Sequence, residues 1–129
     1  MKQTFYERIG ESVYREVLPN GLQVCVVPKP GYAKKYAFFS TRYGGMDMRF
    51  QQDGVWQDTP AGIAHYLEHK MFDTADGNAM QEMAKNGAEP NAFTSNAMTA
   101  YYFDCTEHFD ENLRQLLSFV SMPYFTDES

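Results

Sequence analysis

From Thr59-Pro60 to about Phe72 the sequence reads as an α-helix, and that helix constrains the rest of the chain more than any other segment. Thr can cap a helix and Pro suits its first position, so the pair predicts the start. Inside it, Ile63, Ala64, Leu67, Met71 and Phe72 are apolar, which predicts a helix largely buried against something else. At 3.6 residues per turn, positions i, i+3 and i+4 share a face, so His65, Glu68 and His69 project together. Any fold for this chain must bury the helix and still accommodate that polar trio.

The flanking segments say what it is buried against. Val13 to Val17 and Leu22 to Val27 are strand-like runs on either side of Pro19-Asn20-Gly21, which predicts a hairpin stopped by Pro28 and Pro30. Residues before Val13 read only as a polar start. Tyr36 to Tyr43 predicts a third strand, ended by Gly44-Gly45. Arg49-Phe50 and Val55-Trp56 flank Asp53-Gly54 and suggest a hairpin or a loop. After a loop at Asp73 to Gly77, Asn78 to Asn86 predicts a short helix closed by Gly87. Asn91 to Ser95 and Met98 to Cys105 predict two more strands around a turn at Ser95-Asn96. A last helix runs from Phe109 to Ser121, with Leu113, Leu116, Leu117 and Val120 at helical spacing and Pro123 beyond it. This order predicts an α+β fold of two layers, helices on one face of a mostly antiparallel mixed sheet.

Two imidazoles one helical turn apart can hold zinc at about 2.0–2.1 Å each, and a carboxylate between them can take a proton from a metal-activated water. The alternative is a chance cluster on a solvated helix face. With three His and nine Glu in 129 residues, the pattern arises by accident in roughly one chain in two hundred. The apolar flanks weigh against accident, because buried histidines beside a carboxylate need a partner.

His65-x-x-Glu68-His69 resembles the inverzincin signature of the insulinase and mitochondrial-processing-peptidase (pitrilysin-like) family. Asn86-Gly87-Ala88-Glu89-Pro90-Asn91-Ala92-Phe93-Thr94-Ser95, followed by Thr99, Tyr101 and Tyr102, resembles a second block of that family, and Leu18-Pro19-Asn20-Gly21-Leu22 resembles its opening hairpin. The resemblance implies a zinc metalloendopeptidase in which His65 and His69 ligate Zn2+ and Glu68 is the general base. It implies that the strand at Asn91, Ala92 and Phe93 lies at the sheet edge and pairs with extended substrate; the residues alone also permit an ordinary core strand. It further implies a third ligand, a Glu on a later helix past Ser129. Residues 1–129 are therefore expected to be the N-terminal part of one metallopeptidase domain, inactive alone and joined to the remaining domains of a parent protein. A non-catalytic peptide-binding or assembly module is the alternative.

Other features bound the partners. The net charge of −6, from 17 acidic and 11 basic residues, and the lack of a basic run argue against nucleic acid. No segment approaches the roughly 20 apolar residues of a membrane span, and the charged N-terminus lacks a signal-peptide stretch, so the expected location is cytoplasmic. Cys25 and Cys105 are expected as buried reduced thiols in strands. His108 reads as a surface residue. Gly44-Gly45 lacks the spacing of a phosphate loop, and Ser40 and Ser95 have no free histidine to activate them. Partners are expected to be a peptide or unfolded polypeptide and, through uncovered apolar surface, other copies of the chain.

Overall fold

A computed structural model describes residues 1–74 and 77–121 of the chain, in two compact units, Met1–Ala33 and Lys34 onward. The expected end of the last helix at Pro123, the segment Tyr124 to Ser129 and the middle of the loop after Asp73 lie outside the described residues.

The first unit is an antiparallel meander of β1 (Lys2–Tyr6), β2 (Glu11–Val17) and β3 (Gln23–Val26), in the order β1-β2-β3. The Pro19-Asn20-Gly21 turn forms as expected. Leu22 N donates to Asn20 Oδ1 at 3.0 Å, Gly21 N donates to Leu18 O, and Gly21 takes φ +88°. β1 is a strand where a polar start was expected. None of its residues is buried, so the β2 ladder holds it in place and there is no hydrophobic alternation to read. Cys25 is exposed, against the expected burial, because β3 turns only Val24 out of solvent.

The second unit is built on β4 (Lys35–Thr41), β9 (Glu89–Thr94) and β10 (Thr99–Cys105), all antiparallel in the order β4-β10-β9. Three helices pack on it: α1 (Ile63–Met71), α2 (Ala79–Lys85) and α3 (Phe109–Ser121). Every strand pairing among the described residues is antiparallel, so the expected parallel component of the sheet is not seen. Alternation assigns the faces. Tyr101, Phe103 and Cys105 of β10 join Phe72, Met83, Leu116 and Phe119 in the core, with Phe39 and Ala92 beside them. Tyr36, Phe38, Phe93 and Tyr102 lie on the other face, their rings 5.8–6.4 Å apart.

α3 has the expected limits, but its buried stripe is Asn112, Leu116 and Phe119, while Leu117 faces out. β5 (Arg49–Gln52) and β6 (Val55–Asp58) form the hairpin around Asp53-Gly54. β7 (Asp73–Thr74) and β8 (Gly77–Asn78) form a short ladder inside the expected loop. α2 is capped by Asn78, whose Oδ1 accepts from Met80 N.

α1 starts later than expected. The Thr59 amide and hydroxyl both donate to Met48 O and close the base of the β5–β6 hairpin, so Thr59 is not free to cap. Gly62 at φ +90° is the residue before the helix, a conformation costly for any residue with a Cβ, and its carbonyl accepts the first helical bond from Tyr66 N.

Candidate metal centre

α1 buries a narrower stripe than its composition suggests. Ala64 and Glu68 are buried, whereas His65 and His69 are exposed, which corrects the expectation of a largely buried helix with buried histidines. α1 packs on β9 and β10 through one side only, so its apolar flanks Ile63, Leu67 and Met71 are only half-covered. The cluster thus has a dry half and a wet half. The carboxylate lies inside and the two imidazoles open to solvent.

The helical spacing brings the three side chains together. His65 Nε2 and His69 Nε2 stand 3.1 Å apart, with their ring planes at 82°. Two nitrogens bound to one tetrahedral ion at about 2.0–2.1 Å would stand about 3.3 Å apart, so the separation of this pair suits zinc. The same separation suits an N–H···N hydrogen bond, so a proton and a metal compete for these two atoms. Candidate ligand atoms of His65, Glu68 and His69 all lie within 4.8 Å of one another, and among the described residues no other such cluster forms.

Glu68 is held from the sheet. Its Oε2 accepts from Thr94 Oγ1 at 2.5 Å and lies 3.6 Å from His65 Nδ1. Thr94 ends β9, two residues past Ala92 and so on the same face of the sheet. Tyr101 is buried on β10 directly across from Ala92, and its phenol is pushed up to about 12, by burial first and by the Glu68 charge second. Neither Thr94 nor Tyr101 was assigned a role from the sequence. The strand alternation that puts Ala92 toward the helices carried the signal for Thr94.

Asn91, Ala92 and Phe93 fall on β9, which is an edge strand of the described sheet. They do not share a side. Ala92 turns toward the helix layer, and Phe93 joins the aromatic rings on the opposite face. The phase of the ladder follows from Pro90, which pairs with Phe103 and has no N–H to give, so position 90 is a non-hydrogen-bonded site. Ala92 shares that phase, and its N–H, unused by β10, donates to Asn91 Oδ1 at 2.8 Å. The main-chain groups of Ala92 therefore point to the free edge. His108 is exposed at φ +59°; its carbonyl accepts from Asn112 N at the start of α3, and its Nδ1 stands 4.0 Å from Glu111 Oε2.

The profile described as "Insulinase (Peptidase family M16)" matches residues 52–129. The chain is 47% identical to a Bacillus subtilis protein named as the uncharacterized zinc protease YmfH, over 100% of this chain and 31% of that protein. It is 31% identical to the insulin-degrading enzyme of Bos taurus, over 87% of this chain and 11% of that protein. A crystal structure described as an M16-like peptidase from Alicyclobacillus acidocaldarius superposes with a TM-score of 0.87 at 40% identity, covering 92% of this chain and 28% of that one. The chain thus spans about a third or less of the length of each of these relatives. With the matched profile covering most of the second unit and the helix layer on an antiparallel sheet already described, the chain belongs to the insulinase family, peptidase family M16.

Proposed function

We propose that this chain carries the metal-binding and proton-accepting part of a zinc-dependent endopeptidase. His65 and His69 would hold Zn2+ through their Nε2 atoms, Glu68 would act as general base, and the β9 edge at Asn91, Ala92 and Phe93 would receive the peptide. One observation carries the reading: two Nε2 atoms 3.1 Å apart on the exposed side of a helix whose intervening carboxylate is buried and anchored. A solvated helix face has no reason to bury its glutamate beneath two open imidazoles.

When bound, zinc supplies a Lewis acid and brings the pKa of a bound water to about 7. The chain's own residues supply the rest. Glu68 accepts the proton of the attacking water. The free edge of β9 offers the C=O of Ala92 to an extended backbone, by strand addition, and the Ala92 N–H would join once it exchanges Asn91 Oδ1 for the peptide. Phe93 lies on that edge strand, its ring packed 6.1 Å from that of Phe38, and would meet substrate side chains on that face.

Two imidazoles leave a zinc ion short of the usual three protein ligands. The third would come from outside the described residues, and turnover by this chain alone should be slow. The second reading is a non-catalytic peptide-binding or assembly module. Calorimetric titration with zinc tests the first half of the proposal. Binding should be seen and should be lost in a His65→Ala/His69→Ala variant; equal affinity in that variant defeats the assignment. Hydrolysis of an unstructured peptide, with Glu68→Gln as control, separates the two readings. Peptide binding that survives chelation, with no zinc-dependent cleavage even in a longer chain, would favour the module.

A further inference from the structure

Nothing in the donor set itself explains why Glu68 should be a base and not a third ligand. Carboxylates bind zinc as readily as imidazoles do, at about 2.0–2.2 Å. The Glu68 carboxylate falls within the same 4.8 Å cluster as the two histidines, and an ion held by two neutral imidazoles keeps positions open. Left free, a side chain with three rotatable bonds, about one turn after His65 and next to His69, would close onto the ion.

We infer that Thr94 prevents this closure: its hydroxyl holds Glu68 Oε2 against the β9 end of the sheet and keeps the carboxylate outside the metal's coordination sphere. Thr94 is thus a positioning residue that decides the role of Glu68. The inference rests on the proposal that His65 and His69 hold zinc.

Several observations make this tether strong enough. The Thr94 hydroxyl has one proton to give, and it goes to Glu68 at 2.5 Å. The acceptor is a carboxylate oxygen of a residue 6% exposed, a setting in which a hydrogen bond is worth more than at a wet surface. The donor is stiff at both levels. Threonine is restricted at χ1 by its branch. Its backbone lies opposite Thr99 in the ladder, and the next residue, Ser95, pins the strand end by donating its N–H to Met98 O across the turn. Thr99 in turn donates its hydroxyl to Tyr43 O at 2.6 Å, which fixes the β10 side of that turn. The tether therefore runs from a rigid strand end to a helix side chain, across a sequence separation of 26 residues.

The reading makes a directional claim about metal affinity, separate from catalysis. Removing the hydroxyl should free Glu68 to become a ligand, so zinc should bind more tightly to Thr94→Val than to the unaltered chain. The expected gain is on the order of tenfold. Removing partners of metal ligands costs about tenfold to a hundredfold, and here the sign is reversed because the partner restrains a group that is not a ligand. Thr94→Ser keeps the donor and should stay within about threefold of the unaltered chain. Adding Glu68→Gln to Thr94→Val should abolish the gain.

The experiment is zinc titration of the 129-residue chain and these variants by calorimetry or chelator competition, with far-UV circular dichroism to establish folding. Thr94→Ala is measured beside Thr94→Val, so that the result does not depend on one replacement packing well. A purely structural role for Thr94 predicts weaker binding or no change in both, and either result overturns the inference. A gain that persists with Glu68→Gln also overturns it, because the new ligand would then be another group. If the unaltered chain shows no zinc binding that depends on His65 and His69, the proposed function fails first. That outcome is recognised from the His65→Ala/His69→Ala variant alone.

Discussion

Gly44 is the position at which the smallest addition should do the most damage to the second unit. A Cβ there would stand 2.4 Å from Ser95 O, 2.6 Å from Ala97 N and 2.6 Å from the Asn96 carbonyl carbon. All three are backbone atoms of the β9–β10 turn, so no side chain can rotate away. Either the Tyr43–Asp47 segment or the turn must retreat by about 1 Å, a shift that overpacking typically charges at about 1–3 kcal/mol. The retreat also breaks Gly45 N to Ser95 O at 2.8 Å and Met46 N to Asn96 O at 2.9 Å. At about 1 kcal/mol each these add about 2 kcal/mol, while the stiffer unfolded chain of the Ala variant offsets about 0.4–1 kcal/mol. Gly44→Ala should therefore cost about 2–5 kcal/mol, a large share of the about 5–15 kcal/mol that holds a domain together. Gly45 is the internal control. Its added Cβ would meet only Ser95 O, at 3.8 Å, and it has no left-handed φ, so Gly45→Ala should be neutral or slightly stabilising. Urea unfolding of the two variants, followed by circular dichroism, checks the difference. Equal midpoints would show that the turn yields freely and would refute the close-packing argument.

Other perturbations test other layers. Asn78→Ala removes the side-chain acceptor for Met80 N at the start of α2 and should cost about 1 kcal/mol in urea unfolding. Phe103→Ala empties a fully buried position between α3 and the sheet and should cost about 3–5 kcal/mol, whereas Phe38→Ala, on the exposed face, should cost distinctly less. The Tyr101 phenol, at about 12 in the folded chain against an ordinary value near 10, binds its proton more tightly when folded. The stability this represents is intact below about pH 10 and is lost as pH rises from about 10 through 12, on the order of 2 kcal/mol. Tyr101→Phe should lack that alkaline loss; parallel slopes for the two proteins over this window would count against the burial of the phenol.

How much of this was readable beforehand depends on how local each cause is. α3 was legible because its period and its limits lie within thirteen residues. Its true stripe was not, because choosing Phe119 over Leu117 requires knowing where the sheet lies. The start of α1 was misplaced for a similar reason. Thr59 has the right chemistry for a cap, but Met48 O, eleven residues earlier, takes both of its donors. β1 carried no signal, since a strand with no buried residue has no alternation. At the site, His65, Glu68 and His69 were legible because helix geometry alone makes them neighbours. Their exposure was not; strand alternation turns Thr94 toward the helices, but its bond to Glu68 depends on how α1 packs against β9. Pro90 offered a partial route: a residue without an N–H sets the hydrogen-bonding phase of β9, and the phase says which of its residues turn to the free edge.

The arrangement also bears on how a peptidase of this design keeps its base and its substrate in register. On the proposed reading, an extended peptide pairs with the outer edge of β9 at the usual strand spacing of about 4.8 Å. The same strand ends in Thr94, which holds Glu68. Base and substrate are thus both referred to one strand, and a small displacement of β9 carries them together. A misplacement of about 1 Å between reacting groups can cost on the order of a hundredfold in rate, so a shared reference matters more than absolute position. The two imidazoles proposed to hold zinc belong to α1, and among the described residues the site's tie to β9 runs through Glu68 and packing. Two kinds of damage should therefore separate. Distortion of the β9–β10 turn, as in Gly44→Ala, shifts base and peptide relative to the two imidazoles. Loss of the Thr94 hydroxyl leaves strand and peptide in place and releases the base alone. The first should weaken the fold along with the site, and the second should change metal affinity in a folded protein.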